Sequence, residues 1–287
     1  MNNLRKFLDS LLSLFSKRHV VPNSCKTQYP IILVHGIAIR DKMIFSSWGR
    51  VPDYLRRGGA QVFLSNVDAW ASYAHNAQLL QLKIEEVLRK TNKDKVNLIA
   101  HSKGGIDSRY AISKLNLADK VASLTTVSTP HRGSCVADII SKAIPESDNV
   151  IYKLTNFIGT LIGDSSPEAA LAVKELSTEH MTKFNDEIID MPQVYYQSYG
   201  ARMLHLLNDP IFSFTYPIVT QHEGENDGMV SLQSCQWGKF NGVVEGKKPG
   251  VGISHFQITG AVWDKISGVN IPLLYVSWVE ALKLKGF

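Results

Sequence analysis

Residues 96–105 have the sequence VNLIAHSKGG. The apolar run that starts at Val96 stops at Ser102, and a helical pattern begins directly after it. This pattern predicts a strand, a tight turn and a helix, with the serine hydroxyl exposed on the turn, where a base can activate it. In the G-x-S-x-G form of this turn, the residues two before and two after the serine are small because the strand and helix backbones approach closely. Ala100 and Gly104 satisfy that requirement, and a serine in an ordinary strand–helix loop is the alternative.

A short buried strand is predicted upstream, where residues 29–36 have the sequence YPIILVHG. A continuous apolar run bounded by turn residues is typical of a parallel strand that is covered on both faces. Acyl transfer requires backbone N–H groups that point at the developing oxyanion, and one of them comes from the loop after an early strand. We therefore assign the oxyanion hole to the backbone N–H groups of Ile37 and Lys103. A simple turn at His35 and Gly36 is the alternative.

Two glycine-rich segments near the C-terminus supply an acid and a base. Residues 224–230 have the sequence GENDGMV, and residues 250–255 have the sequence GVGISH. The order Ser102, Asp227, His255 is one of the three chain orders in which a serine triad is known. His255 is the predicted general base, and Asp227 is predicted to fix its tautomer and stabilise the imidazolium. We expect His101 and His131 to support the site rather than to act as its base.

With these motifs the chain resembles the bacterial true lipases, which are triacylglycerol lipases of the α/β-hydrolase superfamily. The matching segments occur in the family's order over about residues 28 to 260: residues 31–37, 100–105, 128–134, 176–179 with 184–185, and 225–228. The resemblance implies an α/β-hydrolase fold, which is a doubly wound, mostly parallel sheet with an inserted helical cap or lid. It also implies an esterase for long-chain acylglycerols at a lipid surface, with Ser102, Asp227 and His255 as its triad. The chain departs from the family at Ile39, where a glycine is common.

The resemblance also raises the question of a metal, because many of these lipases use two aspartates to hold calcium beside the histidine loop. Asp209 matches the first aspartate, whereas Gln257 stands where the second is expected. Calcium prefers several hard oxygen ligands, including carboxylates. We therefore predict no tightly bound metal, and an Asp-Pro turn is the simpler role of Asp209. Without zinc-like Cys/His spacing or a glycine-rich phosphate loop, we also predict no cofactor.

Length and composition fit one enzyme domain. The chain has 287 residues, of which 44% are hydrophobic and 20% charged, and we assign residues 25–287 to a single domain with a cap at about residues 138–190. Three scattered cysteines predict no disulfide framework. The net charge of +5 is modest and the basic residues are dispersed, so nucleic acid is not an expected partner. The oligomeric state stays open.

Two amphipathic segments suggest contact with lipid. Apolar residues recur at helical spacing from Val150 to Ile162, which predicts either a lid over Ser102 or an ordinary helix packed on the core. Residues 1–24 form an extension in which Leu4, Phe7, Leu8, Leu11 and Phe15 make an apolar stripe among basic residues. This extension is an interfacial helix, a packed helix or an export signal. A cytoplasmic or membrane-peripheral location is favoured, and secretion stays open.

The sequence therefore predicts a serine hydrolase that cleaves lipid esters through an acyl-serine intermediate. A soluble short-chain carboxylesterase or thioesterase is the first alternative. A non-catalytic, hydrolase-fold protein that binds lipid is the second, and the complete set of triad residues disfavours it.

Overall fold

The computed structural model describes residues 20–38, 40–41, 46–143, 150–161, 163–261 and 263–287. In this part of the chain a six-stranded sheet has the order β2-β1-β3-β4-β5-β6, and all of its neighbouring strands are parallel. The strands are β1 (Ile31–Val34), β2 (Val62–Leu64), β3 (Val96–His101), β4 (Val121–Val127), β5 (Tyr195–Ala201) and β6 (Lys239–Val244). Because parallel neighbours require crossover connections, helices must cover the sheet. The predicted doubly wound α/β architecture is confirmed.

Helices cover both faces of the sheet, and further helices lie in the connections that follow its strands. In chain order they are α1 (Val51–Arg57), α2 (Tyr73–Thr91), α3 (Lys103–Lys114), α4 (Cys135–Ala143), α5 (Val150–Leu161), α6 (Ala169–Lys174), α7 (Thr178–Glu187), α8 (Thr215–Glu223), α9 (Leu232–Cys235) and α10 (Ile271–Leu284). A short antiparallel hairpin, β7 (Lys265–Ile266) and β8 (Val269–Asn270), precedes α10.

The alternation of side chains along β1 divides the interior into two cores. Ile31 and Leu33 pack in one core with residues of α1 and α10, whereas Ile32 and Val34 pack in the other with residues of α2 and α3. All four side chains are fully buried. This burial on both faces explains why the strand has a continuous apolar sequence rather than an alternating one.

A group of helices, α4 to α7, lies between β4 and β5 in the chain, where the sequence predicts a cap at about residues 138–190, and we call these four helices the cap. The predicted helix from Val150 is α5, although Ile162 lies outside the described residues. Of the predicted N-terminal extension, residues 1–19 also lie outside them. Among the described residues, no helix is both long and apolar enough to cross a membrane.

The loops that leave the carboxyl ends of the strands meet at one edge of the sheet. β1 ends before His35, β3 ends at His101 and β4 ends before Ser128. Ligands of open α/β sheets bind outside this edge, near the point where the strand order reverses. Here the strand order reverses at β1, which has β2 on one side and β3 on the other. Ser102 directly follows β3, so it lies beside this point.

Candidate active site

Ser102 occupies a strained turn between β3 and α3. Its backbone has φ 53° and ψ −132°, a conformation that non-glycine residues rarely adopt and that recurs at functional sites. Its N–H donates to the carbonyl oxygen of Val127 at 3.0 Å, which anchors the turn to the end of β4. A Cβ atom on Gly104 would lie 2.4 Å from the carbonyl oxygen of His35, and one on Gly36 would lie 2.7 Å from the Cβ atom of Ser102. The close approach that the motif predicts is therefore present.

The structure brings the three predicted triad residues together in a hydrogen-bonded line. His255 Nε2 lies 2.9 Å from Ser102 Oγ, and His255 Nδ1 lies 2.9 Å from Asp227 Oδ2. The other carboxylate oxygen of Asp227 accepts hydrogen bonds from the N–H groups of Met229 at 3.1 Å and Val230 at 2.8 Å. Asp227 is almost fully buried. The carboxylate is thus fixed in orientation and can hold the histidine with Nε2 free to accept the serine proton.

His101 supports the backbone of His255 rather than its chemistry. Its Nε2 atom donates to the carbonyl oxygen of His255 at 2.9 Å, and the two ring centroids are 4.6 Å apart. Burial lowers the pKa of His101 well below its usual value, and the neighbouring His255 lowers it further. His101 is therefore neutral, and it is suited to position the base rather than to replace it.

His131 belongs to a polar cluster beneath the site. Its Nε2 atom lies 3.0 Å from Thr126 Oγ1, and its ring stacks on Trp237 with a centroid distance of 5.0 Å. Arg109 lies over the same indole, 3.6 Å from the ring centroid. This packing gives His131 a structural role in support of the loop that follows β4.

The two predicted oxyanion donors flank Ser102. Ile37 follows the end of β1 by three residues and lines the cavity in front of the serine. Lys103 is the first residue of α3, where a backbone N–H has no partner within the helix. A helix N-terminus also carries partial positive charge, which favours a negative ligand. These placements support the assigned pair as donors to a developing oxyanion.

Beneath the elbow, the side chain of Lys103 enters a buried ion pair that the sequence analysis missed. Its Nζ atom lies 2.6 Å from Asp107 Oδ1, and both side chains are almost fully buried. Asn76, from α2, donates to the second oxygen of Asp107 at 2.9 Å. Asp107 stands four residues after Lys103, and this helical spacing was an available signal for the pair.

A buried glutamate of the cap faces the same cluster. Glu175 follows α6, and its Oε2 atom accepts a hydrogen bond of 2.7 Å from the N–H of Tyr73 at the start of α2. Burial raises the pKa of Glu175 to about 7, although the charge of Lys103 opposes the rise. No local sequence pattern predicts this contact, because Glu175 and Tyr73 are 102 positions apart.

A cavity of about 330 Å³ opens in front of Ser102, and its wall is mostly apolar. The cap contributes Val136, Ala137, Ile140, Val173 and Leu176. Ile211 and Phe212 come from the loop after β5, and Trp48 comes from the segment before α1. An apolar cavity with few polar groups, concentrated at the triad, suits an acyl chain whose carbonyl carbon lies at the serine.

Helix α5 presents apolar side chains to solvent in this conformation. Phe157 is 59% exposed and Leu161 is 69% exposed, and Ile151 and Ile158 are exposed as well. The cap residues that line the described cavity come from α4, α6 and the turn that follows α6. These exposed side chains of α5 are therefore not packed on the core, and none of the α5 side chains that the structure describes lines the cavity in front of Ser102, so a lid role stays a proposal.

The residues at the expected metal position do not form a cation cage. Asp209 Oδ1 accepts from the N–H of Ile211 at 3.1 Å, and its Oδ2 accepts from Ser254 Oγ at 2.6 Å. Gln257 directs its Nε2 donor to the carbonyl oxygen of Asn208 at 3.3 Å. Calcium requires converging oxygen ligands, whereas this arrangement has one carboxylate and an N–H donor. The residues present do not fit calcium, and no group of His, Cys, Asp and Glu among the described residues fits a metal.

The chain is similar to known lipases and thioesterases. The family model for palmitoyl protein thioesterase matches residues 30–187. A triacylglycerol lipase of Vibrio cholerae is 34% identical over 238 residues, which cover 75% of this chain and 76% of the relative. A triacylglycerol lipase of Pseudarthrobacter phenanthrenivorans is 36% identical over 173 residues, which cover 55% of this chain and 53% of the relative. The chain thus spans about half the length of the latter relative.

Solved structures with the same fold include the mature lipase BlEst2 of Bacillus licheniformis. It superposes with a TM-score of 0.65 at 20% identity, and the match covers 91% of this chain and 94% of that one. At this identity the likeness concerns the fold, and it confirms the predicted α/β-hydrolase architecture. The fold alone does not determine activity or substrate, which depend on the residues of the site.

Proposed function

Because this chain belongs to the triacylglycerol lipase and palmitoyl protein thioesterase families of α/β-hydrolases, we propose that it hydrolyses lipid esters through an acyl-serine intermediate. The observation that carries the proposal is the hydrogen-bonded line of Ser102, His255 and Asp227 at an apolar cavity of about 330 Å³. The line supplies a nucleophile with its base, and the cavity supplies a place for an acyl chain.

Acylation begins when His255 Nε2 takes the hydroxyl proton of Ser102 and Oγ attacks the ester carbonyl carbon. The carbonyl oxygen becomes an oxyanion, which accepts hydrogen bonds from the backbone N–H groups of Ile37 and Lys103. Asp227 stabilises the imidazolium through Nδ1. Collapse of the tetrahedral intermediate breaks the bond to the alcohol oxygen, and His255 returns its proton to the departing alcohol.

Deacylation repeats these steps with water as the nucleophile. His255 removes a proton from water, the resulting hydroxide attacks the acyl-serine, and the serine oxygen leaves with the proton that His255 held. The products are a fatty acid and the free enzyme. Ser102, His255 and Asp227 already lie within hydrogen-bond distance of one another, so these steps do not require a rearrangement of the triad.

A fluorophosphonate probe and a series of acyl esters test this proposal. The probe should label the wild type at Ser102, whereas Ser102→Ala should not be labelled and should lose about a thousandfold or more in turnover. The thermal midpoint of Ser102→Ala should stay close to that of the wild type, since the side chain only loses its hydroxyl. Retention of even a tenth of the turnover would exclude Ser102 as the nucleophile, and absence of labelling would favour a non-catalytic lipid-binding protein.

We also propose that the enzyme acts at a lipid surface. The exposed apolar side chains of α5 lie on the cap, and Ile211 is 66% exposed while it also lines the cavity. Phe214, three residues later, is 84% exposed. If α5 closes over the site in water, exposing about 200 Å² of its apolar surface on opening costs about 5 kcal/mol at 25 cal/mol per Å². A lipid surface offsets this cost.

Phe157→Glu tests the lipid surface, and Leu82→Glu is its matched control because Leu82 is exposed on α2 outside the cavity wall. Activity on a long-chain ester should rise steeply where the substrate passes its solubility limit. Phe157→Glu should weaken that rise and leave turnover of a soluble short-chain ester unchanged, and Leu82→Glu should do neither. A smooth saturation curve in the wild type would favour a soluble esterase.

Thioester hydrolysis is a second candidate function, because the palmitoyl protein thioesterase model covers the segment that contains Ser102. The same acyl-enzyme forms from an oxygen ester or a thioester, and only the leaving group differs. Paired palmitoyl substrates that differ in this one atom decide between them. A kcat/KM at least about tenfold higher for the thioester would favour the thioesterase function.

A further inference from the structure

The loop that carries His255 is joined to the segment at residues 208–209 by a closed set of hydrogen bonds. Ser254 Oγ donates to Asp209 Oδ2 at 2.6 Å. The N–H of Gln257 donates to Ser254 Oγ at 3.2 Å, and the N–H of Ser254 donates to Gln257 Oε1 at 3.1 Å. Gln257 Nε2 then donates to the carbonyl oxygen of Asn208 at 3.3 Å. We call these four residues, Asn208, Asp209, Ser254 and Gln257, the histidine clasp.

The histidine clasp fixes a residue on each side of the base. Ser254 precedes His255 and is fully buried, and Gln257 follows it by two positions. The segment that begins with Asn208 and Asp209 also contains Phe212, whose ring packs edge-on against the ring of His255 with centroids 6.2 Å apart. Movement between the two segments would therefore displace both the backbone and the ring of His255.

An amide can close the clasp where a second carboxylate cannot. The carbonyl oxygen of Asn208 and the carboxylate of Asp209 are both acceptors on one segment. Gln257 offers one oxygen to Ser254 and one N–H to Asn208, so every polar contact has a donor and an acceptor. A carboxylate at position 257 would place oxygen against oxygen, and a bound cation such as calcium would relieve that contact at neutral pH.

We propose that Gln257 is a positioning residue that makes the histidine clasp independent of a metal ion. This inference rests on the proposed role of His255 as the general base. Gln257 acts through the backbone on both sides of His255 and contacts no reacting atom. Its loss should therefore lower kcat and leave the KM of a small soluble ester unchanged, since the acyl cavity stays intact.

The test compares the wild type with Gln257→Glu, each with EDTA and with excess calcium or magnesium. The thermal midpoint and kcat of the wild type should be the same in all three conditions. Gln257→Glu with EDTA should have a lower midpoint and a kcat about fivefold lower than the wild type, the order expected for one lost hydrogen bond. Calcium should restore both quantities, and magnesium should not, because it requires a smaller octahedral site.

Gln193→Glu is the matched control. Gln193 Nε2 donates to Asp119 Oδ1 at 3.3 Å, so this change also places two carboxylates together, but on the exposed surface and far from His255 in the chain. It should not respond to calcium. The proposal is overturned if calcium restores a midpoint that the wild type loses in EDTA, or if Gln257→Glu keeps wild-type kcat and midpoint in EDTA. The midpoints do not depend on catalysis, so they remain informative even if Ser102→Ala shows that the proposed function is wrong.

Discussion

Replacement of Glu175 by glutamine should change how the stability of the protein depends on pH. Burial raises the pKa of this carboxyl from 4.5 to about 7, a difference that corresponds to about 3 kcal/mol at 1.36 kcal/mol per pH unit. Between these two pH values the folded protein holds a proton that the unfolded chain has released. The contribution of Glu175 to stability is therefore complete below pH 4.5, falls as the pH rises to about 7, and stays low above it.

Glu175→Gln keeps an oxygen acceptor for the N–H of Tyr73 and removes the ionisation. The difference in the free energy of unfolding, variant minus wild type, should thus rise by about 3 kcal/mol from about pH 4.5 to about pH 8. Urea denaturation of both proteins at several pH values measures this difference, and other titrating groups cancel in the comparison.

The control for this experiment is Glu179→Gln. Glu179 is fully exposed, and its hydrogen bond with Lys183 lowers the pKa of the carboxyl. A lowered pKa stabilises the folded state above the unfolded value and this stability is lost only as the pH falls below about 4.5, so the Glu179 difference should stay nearly constant between pH 5 and pH 8. If the Glu175→Gln difference is the same at pH 5 and pH 8, the carboxyl is ionised in the folded protein, and the reasoning from its burial is wrong.

Three further predictions concern the elbow and the triad. His255→Ala should lower kcat by about a thousandfold or more and Asp227→Asn by a comparable factor, with unchanged thermal midpoints; a midpoint loss that accounts for the inactivity would contradict this. Gly104→Ala should reduce both stability and activity, because its Cβ atom would lie 2.4 Å from a carbonyl oxygen at the end of β1; wild-type values for both would exclude the close approach. Asp107→Leu should destabilise by about 3–5 kcal/mol, and adding Lys103→Met should recover most of that loss in urea denaturation; an equal or larger loss in the double variant would contradict a buried ion pair.

The parts of the fold that depend on local pattern were predictable from the sequence. The apolar run before Ser102 and the small residues around it specify the elbow, because a tight strand–helix turn excludes most other side chains. The helical spacing from Val150 predicted α5, since a period of 3.6 is a property of neighbouring residues. The exposure of the apolar side chains of α5 was not predictable, because it depends on contacts with segments that are distant in the sequence.

The parts that depend on distant contacts were not predictable. The two sequence segments of the histidine clasp are 45 positions apart at Asp209 and Ser254. The sequence showed that Gln257 is a poor calcium ligand, but not that its amide faces the carbonyl oxygen of Asn208. Likewise, Glu175 has no sequence feature that distinguishes it from a surface glutamate. The burial of Glu175, and hence its shifted pKa, arises only when the turn after α6 meets the start of α2.

Lys103 has two separate roles in the proposed mechanism, and they explain how the oxyanion hole is held rigid. Its backbone N–H at the start of α3 is the proposed donor to the oxyanion, while its side chain forms a buried ion pair with Asp107. A donor stabilises a transition state best when it needs no reorganisation, so a buried ion pair in the same residue favours catalysis through the backbone. Changes at Lys103 alter both roles together. Changes at Asp107 leave the backbone donor of Lys103 in place. If Asp107→Asn loses kcat under conditions in which it is still fully folded, that loss measures the contribution of the ion pair to the position of the donor.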